Sequence, residues 1–170
     1  MIGKTISHYR VVEQIGAGGM GVVHRAWDER LSRDVALKEL HAELAGDAAL
    51  RARFHREAAL AARLRHPGIV PVHDVGEIDG RPYYTMDLVE GKTLADRLLE
   101  TMEDKRVGRP EGMRRLREEV GLLAQVAAAV GYAHSQGVLH RDLKPGNVLI
   151  APGSDGGTVS ARVADFGLAK

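Results

Sequence analysis

The sequence predicts an α+β fold in which an antiparallel sheet is followed by a mainly helical part. The first ninety residues hold five short runs rich in β-branched and aromatic residues. One stretch with apolar residues at helical spacing interrupts these runs. After Glu90 and Gly91 the composition changes from strand formers to long helical patterns, so we predict two parts, residues 1–90 and 91–170.

The overall composition sets limits on the class of protein. A chain of 170 residues is long enough to bury a real core as one domain or two small lobes. Its 24 basic and 23 acidic residues nearly balance, so charge gives no argument for a nucleic-acid or membrane surface. The absence of cysteine excludes disulfides and thiolate chemistry and fits a cytoplasmic setting. The longest apolar stretch, residues 120–133, is too short to span a bilayer.

The first part is predicted as a five-stranded sheet with one helix. The strand-like runs are residues 8–15, 22–27, 34–40, 69–75 and 82–89. Asp79 and Gly80 predict a hairpin turn between the last two runs. The helix is predicted over residues 47–64, where apolar residues share one face and Asp47 serves as the N-cap.

The second part is predicted as two helices that lead into a polar stretch. Thr93 is the candidate N-cap of a short helix through Leu99, and residues 101–112 are expected to form a solvated connection. A long helix over residues 113–135 would end at Gln136 and Gly137. Its predicted core-facing residues are Leu116, Val120, Leu123, Val126, Ala127 and Val130.

The stretch 138–150 carries an acid, two cations and an amide between two apolar runs that we interpret as short buried strands. Pro145 fixes its own φ and Gly146 permits a positive φ, which favours a fixed bend over a helix. Asp142 and Asn147 should then face a common point. In HRDxxxxN loops the Asp accepts the proton of a substrate hydroxyl and the Asn holds a magnesium ion. The alternative is a charged surface turn.

Gly16, Gly18 and Gly21 form a GxGxxG pattern that occurs both in dinucleotide-binding folds and in phosphate-binding flaps. A dinucleotide fold needs a helix at the glycines, whereas Val22 and Val23 predict a returning strand. We therefore favour a hairpin flap whose backbone amides approach phosphates closely. A glycine-rich hairpin turn without a ligand is the alternative for this segment.

Three further residues are candidates for the same chemistry. Lys38 ends a VALK strand and is predicted to contact phosphates, although a lysine on a strand is also often a solvated charge. Glu57, on the helix, is the candidate ion-pair partner of Lys38, the alternative being one more surface charge. Asp165 begins the DFG motif after the HRD loop and is predicted to bind magnesium. The histidines match no metal-ligand pattern.

Five motifs occur in a fixed order: GAGGMG, VALK, the helix bearing Glu57, HRDLKPGN and DFG. With them the chain resembles the protein kinase family over essentially its whole length. Lys144 in HRDLKPGN is similar to the serine/threonine type. The segments GAGGMGVVHRAWD and HPGIVPVHDVG most resemble bacterial eukaryotic-like serine/threonine kinases. The resemblance implies a protein kinase-like fold, ATP and Mg²⁺ as cofactors, and protein Ser or Thr hydroxyls as acceptors.

The resemblance also implies a role for each candidate residue. Asp142 would orient the hydroxyl, Lys144 would steady the γ-phosphate, and Glu57 would hold Lys38 toward the nucleotide. Asn147 and Asp165 would bind magnesium. The implied nucleotide-binding residues are Ile15, Gly16, Gly18, Gly21, Val23, Ala36, Lys38, Met86 as gatekeeper, Asp87 and Val89 at the hinge, and Leu149.

The chain departs from the family pattern after DFG, where an activation segment, an APE motif and further helices are expected. We therefore expect a truncated domain, with an apolar face on the helix 113–135 that favours association. Two functions stay open at this point: a serine/threonine protein kinase, or a non-catalytic fragment that binds ATP or a partner. Small-molecule phosphotransferases of related fold are disfavoured by Arg141, Lys144 and Pro145.

Overall fold

The sheet of the first part consists of antiparallel strands. They are β1 (Thr5–Ile6), β2 (Tyr9–Ala17), β3 (Gly21–Asp28), β4 (Arg33–Leu40), β5 (Val72–Ile78) and β6 (Arg81–Asp87). Their order across the sheet is β1-β2-β3-β4-β6-β5. The five predicted strands are present, and the two-residue β1 adds a sixth at the edge. Ile69 was predicted in the fourth of those strands, but it lies outside β5 and forms a parallel bridge with Val163.

The structure is a computed structural model that describes residues 2–19, 21–103, 110–152 and 158–166. The chain divides into two units. The first unit is residues 1–63 with 71–88, and the second is residues 64–70 with 89–170. Segment 64–70, which the sequence assigned to the first part, thus lies with the second unit.

Alternation along the strands gives the first unit two different faces. One face carries the main apolar cluster: Ile6, Tyr9, Val11, Ala26, Val35, Leu37 and Tyr83. The other face packs against helix α2 (Ala48–Ala61), where the rings of Phe54 and Tyr84 lie 5.3 Å apart. Because side chains alternate in a strand, Leu37 belongs to the first face and Lys38 to the second.

Helix α2 begins as predicted at an Asp47 cap. The Asp47 carboxylate accepts hydrogen bonds from Ala49 N at 2.8 Å and Leu50 N at 3.2 Å, which satisfies two of the free amides at the helix start. A four-residue helix, α1 (Ala42–Ala45), precedes it and was not predicted. The β5–β6 turn has positive φ at both Asp79 and Gly80, as the predicted hairpin turn requires.

The second unit holds helices α3 (Leu94–Glu103) and α4 (Pro110–Ser135) and a sheet of β7 (Lys92–Thr93), β8 (Val148–Pro152) and β9 (Val159–Val163). Thr93 caps α3 as predicted: its Oγ1 accepts from Asp96 N at 3.1 Å, and its N donates back to Asp96 Oδ2 at 3.0 Å. The helix continues past the predicted end at Leu99. Part of the predicted connection is therefore helical, while residues 104–109 lie outside the described residues.

The buried face of α4 differs from the prediction. The buried stripe is Glu119, Leu122, Val126, Ala129 and Ala133, and Gln125 Oε1 accepts a hydrogen bond from Ala161 N at 2.9 Å in β9. Of the residues predicted to face the core, Val126 is buried and Val130 partly buried, Ala127 is exposed, and Leu116, Val120 and Leu123 are more than half exposed. Their apolar spacing marks a second stripe of the helix, on which no described residue packs closely enough to bury them.

The predicted stop of α4 is present as a Schellman motif. Gly137 has φ +74, Val138 N donates to Ala133 O at 2.9 Å, and Gly137 N donates to His134 O at 2.9 Å. Glycine is favoured at this position because the left-handed backbone strains other residues.

Among the described helices, none combines the length and apolar character that a membrane crossing needs.

Candidate active site

The candidate nucleotide residues of the first unit share one face of its sheet. Val23 on β3 is the cross-strand partner of Lys38 on β4, and Ala36 on β4 is the partner of Met86 on β6. Directly opposed residues project to the same face, and Ala36 and Lys38 are two residues apart on one strand. The register therefore places Val23, Ala36, Lys38 and Met86 on the face against which α2 packs.

The glycine-rich segment is the turn of the β2–β3 hairpin. Gly16 pairs with Val23, and Gly18 N donates to Gly21 O at 2.9 Å, so the returning strand predicted after the glycines is β3. A Cβ on Gly21 would lie 2.1 Å from Glu39 O, so a side chain there would collide with the neighbouring strand. Gly21 is thus needed for packing, while a Cβ on Gly18 would meet no atom within 4 Å.

Lys38 and Glu57 are both buried, with 7% and 6% of their surfaces exposed. Glu57 Oε1 accepts a hydrogen bond from Arg53 Nε at 2.9 Å, one turn earlier on α2. The other oxygen, Oε2, is buried without a hydrogen-bond partner. Arg53 is therefore one cationic partner of Glu57, and the ion pair between Glu57 and Lys38 stays a prediction.

The HRD loop of the second unit is tied together by short-range hydrogen bonds. Lys144 Nζ donates to Asp142 Oδ2 at 2.7 Å. Asn147 Nδ2 donates to Asp142 O at 2.9 Å and lies 3.3 Å from Asp142 Oδ2. These bonds bring Asp142 and Asn147 to one point, as predicted, and Lys144 joins them there.

The backbone of this loop departs from the sequence interpretation in two details. Pro145–Asn147 forms one turn of 3-10 helix, closed by Asn147 N donating to Lys144 O at 2.9 Å, where a bend without helix was predicted. Proline at the first position of such a turn fits because its missing N–H would have no partner there. No strand forms at Val138 and Leu139, where the chain leaves the Schellman turn of α4; Val138 is buried as predicted and Leu139 is exposed.

Asp142 lies in a setting that favours its ionised form. The hydrogen bond from Lys144 is the largest cause that lowers the pKa of Asp142 below its ordinary value, and the amide of Asn147 adds to it. The Asp142 side chain keeps 42% of its surface exposed, so an incoming group has access to it. An ionised, accessible carboxylate is what a hydroxyl-proton acceptor requires.

His140 and Ala164 join the loop to the segment that carries Asp165. His140 Nε2 donates to Ala164 O at 2.9 Å, and Ala164 N donates to Asn147 O at 2.9 Å. Burial lowers the pKa of His140, which favours the neutral ring, and its Nδ1 accepts a hydrogen bond from Asp142 N at 3.3 Å. Its ring also packs on Phe166, with ring centroids 4.7 Å apart. Asp165 is thus held next to a residue that is bonded on both sides to the HRD loop.

Two non-glycine residues of this region adopt left-handed backbone conformations. Arg141 has φ +65 and Asp165 has φ +60. Such conformations are costly for residues with a Cβ and persist where the surrounding contacts impose them. Both lie within one residue of a group bonded in the network of His140, Asp142 and Ala164.

The donor set of the second unit fits a magnesium ion. Because the amide nitrogen of Asn147 is committed to Asp142, its Oδ1 is left as the ligating atom, and Asp165 supplies a carboxylate. Amide and carboxylate oxygens suit Mg²⁺, which usually takes one or two protein ligands and completes its shell with phosphates and water. The described residues contain no cluster of three or more His, Cys, Asp or Glu side chains.

The predicted site residues fall into two groups, one in each unit. The first unit holds Ile15, Gly16, Gly18, Gly21, Val23, Ala36, Lys38, Glu57, Met86 and Asp87, and the second holds Val89, Asp142, Lys144, Asn147, Leu149 and Asp165. Sequence reasoning missed Arg53 as the partner of Glu57. The Arg–Glu spacing of four residues on a helix was the available signal, since such residues are neighbours on the helix surface.

The fold and the HRD loop together define the class of protein. The family model described as "Protein kinase domain" matches residues 9–170. The chain belongs to the protein kinase domain family.

Individual relatives give the same class. The chain is 44% identical over 167 residues to the serine/threonine-protein kinase PknF of Mycobacterium tuberculosis, covering 98% of this chain and 33% of PknF. It is 42% identical over 175 residues to PknA of the same species, covering 99% of this chain and 37% of PknA. The crystal structure of the Mycobacterium tuberculosis PknI kinase domain matches with a TM-score of 0.80 and 36% identity, covering 100% of this chain and 64% of that one. The chain therefore spans about a third of the length of the full-length relatives.

Proposed function

We propose that this protein transfers the γ-phosphoryl group of ATP to Ser or Thr hydroxyls of proteins, and that it acts in the cytoplasm. The observation that carries the proposal is the Asp142 carboxylate, which Lys144 and Asn147 hold in its ionised form while leaving it accessible. Family membership supports the same reaction.

The first unit contributes nucleotide-binding residues in this proposal. The glycine flap, residues 16–21, directs its backbone amides to the phosphates. Lys38 contacts the same phosphates, and Glu57 sets the position of Lys38. Val23, Ala36 and Met86 share the face of the sheet that carries Lys38, which supports an adenine contact for them. The remaining proposed nucleotide contacts are Ile15, Asp87, Val89 and Leu149.

The second unit contributes the residues that act on the acceptor. Asp142 accepts a hydrogen bond from the hydroxyl and takes its proton as the new O–P bond forms and the bond to the ADP oxygen breaks. Lys144, already bonded to Asp142, steadies the moving phosphoryl group. Asn147 and Asp165 would hold magnesium, which supplies neutralisation of the phosphate charge. Positioning and electrostatics account for most of the expected rate enhancement.

A second candidate function is ATP binding without transfer. Glu57 is bonded to Arg53, a cation that competes with Lys38 for the carboxylate that the transfer reaction is expected to need. Leu116, Val120 and Leu123 form an exposed apolar stripe on α4. Association with a partner through this stripe stays a prediction.

One experiment separates the two functions. The purified chain is incubated with Mg²⁺, ATP labelled at the γ-phosphate and casein as a generic acceptor, and the labelled residues are identified after hydrolysis. The proposal expects phosphoserine and phosphothreonine, with label that depends on Mg²⁺. Binding of MgATP by calorimetry with no label on the acceptor would favour the second function. Label only on tyrosine would contradict the proposed acceptor.

A further inference from the structure

A histidine outside the motifs contacts the glycine flap. His41 Nε2 lies 2.8 Å from Gly18 O. A carbonyl oxygen can only accept, so the proton of this hydrogen bond sits on Nε2. The contact joins residues 23 positions apart and reaches the tip of the β2–β3 hairpin.

The backbone around His41 fixes the place from which its ring reaches the flap. His41 directly follows Leu40, which is the cross-strand partner of Gly21 at the base of the turn. Its carbonyl oxygen accepts hydrogen bonds from Leu44 N and Ala45 N, both at 3.0 Å. His41 is also the N-cap residue of α1, yet its side chain makes no capping bond there. The ring is therefore directed to Gly18 instead of to its own helix.

The bond from His41 completes the hydrogen bonding of Gly18. Gly18 N already donates to Gly21 O at 2.9 Å, so with His41 both backbone polar groups of Gly18 are satisfied within the first unit. A Cβ at Gly18 or Gly19 would meet no described atom within 4 Å, so neither glycine packs closely against a neighbour. At Gly18, the constraints that the described residues supply are therefore these two hydrogen bonds.

We propose that His41 is a positioning residue that holds the glycine flap in the turn that receives the phosphates of a nucleotide. This inference rests on the proposed function, because that function assigns residues 16–21 to the phosphates. A flap already held in its bound shape loses less conformational freedom on binding, which raises affinity without a new contact to the ligand. The benefit applies to ligands that carry phosphates and not to the nucleoside alone.

The test compares MgATP with adenosine as ligands of three variants. His41→Ala is expected to weaken MgATP binding about three- to tenfold, the effect of one hydrogen bond, and to leave adenosine binding within about twofold. His41→Gln, whose amide can still donate to Gly18 O, should recover most of the lost affinity. His55→Ala is the matched control, since His55 contacts Glu77 on β5 and not the flap. Calorimetry measures the affinities.

A second readout does not depend on any ligand. Amide exchange at Gly18 should speed up in His41→Ala and not in His55→Ala, with the melting temperature of both variants close to that of the unchanged chain. Unchanged MgATP affinity in His41→Ala, or an equal loss for MgATP and adenosine, would overturn the role of His41. If the unchanged chain binds adenosine as tightly as MgATP, the flap does not contact the phosphates. The assignment of the flap then fails, and the inference about His41 fails with it.

Discussion

Asp142 and Glu57 are both acidic residues proposed to act in the reaction, but their surroundings differ. Asp142 Oδ2 accepts a hydrogen bond from Lys144 Nζ and lies 3.3 Å from Asn147 Nδ2. Both partners follow Asp142 within five residues of the chain. Glu57 has one oxygen bonded to Arg53 and the other buried without a hydrogen-bond partner. A buried unsatisfied polar atom costs on the order of 1–3 kcal/mol. The HRD loop thus favours a single arrangement, whereas a hydrogen bond to the second oxygen of Glu57 would lower the free energy of its site.

The largest effect is expected when the HRD network is broken at its amide. Asn147→Ala removes both hydrogen bonds to Asp142 and the proposed oxygen ligand of magnesium, so transfer should fall about 100-fold and require more Mg²⁺. Steady-state rates over a range of Mg²⁺ concentrations check this. Gly146→Ala in the same turn is the control, because a Cβ there would meet no described atom within 4 Å. A loss under tenfold with unchanged Mg²⁺ dependence would contradict the role of Asn147.

A smaller effect of opposite sign is expected at the Glu57 site. Arg53→Met removes the cation bonded to Glu57 Oε1, which leaves both oxygens of the carboxylate to the proposed ion pair with Lys38, so kcat/KM for ATP should rise about two- to fivefold, equivalent to roughly 0.4–1 kcal/mol.

Arg56→Met is the matched control, because Arg56 is an exposed arginine on the same helix. The kinetics of both variants are compared with those of Glu57→Gln. If Arg53→Met loses activity to the same degree as Glu57→Gln, Arg53 orients Glu57 productively and the contrast with Asp142 is wrong.

The subtlest effect concerns pH. The pKa of Asp142 is lowered chiefly by the hydrogen bond from Lys144, so the carboxylate stays ionised to a lower pH than an isolated aspartate. Lys144→Met should raise the pKa of Asp142, and the acid limb of the kcat/KM profile should move to higher pH. Lys144→Arg keeps a cation and should keep the limb near its original position. An acid limb that stays in place in Lys144→Met would show that another group sets it.

The contrast between the two acids also explains what the sequence could predict. The HRD network closes between residues two to five positions apart, so a local motif is enough to predict it. The strands and the caps at Asp47 and Thr93 were predictable for the same reason, because each depends on a few neighbouring residues. The Schellman turn at Gly137 likewise depends on the last turn of its own helix.

The missed features depend on packing between distant segments. Apolar spacing gave α4 more than one candidate face, and only its contact with β9 determines that Leu122 is buried and Leu123 is exposed. The partner of Glu57 depends on how α2 lies against the sheet, which a motif does not specify. The contact from His41 to Gly18 follows from the register between β3 and β4 and has no local sequence pattern.

The central claim is that Asp142 serves the transfer step and not the binding of the nucleotide. Asp142→Asn keeps the size of the side chain but removes the charge that receives the hydroxyl proton. The labelled-ATP assay and MgATP calorimetry on the same preparation test it directly. We predict a loss of transfer of at least about 1,000-fold, within the range found for general acid–base groups, with MgATP affinity within about twofold of the unchanged chain. An equal loss of transfer and of MgATP binding would contradict the account.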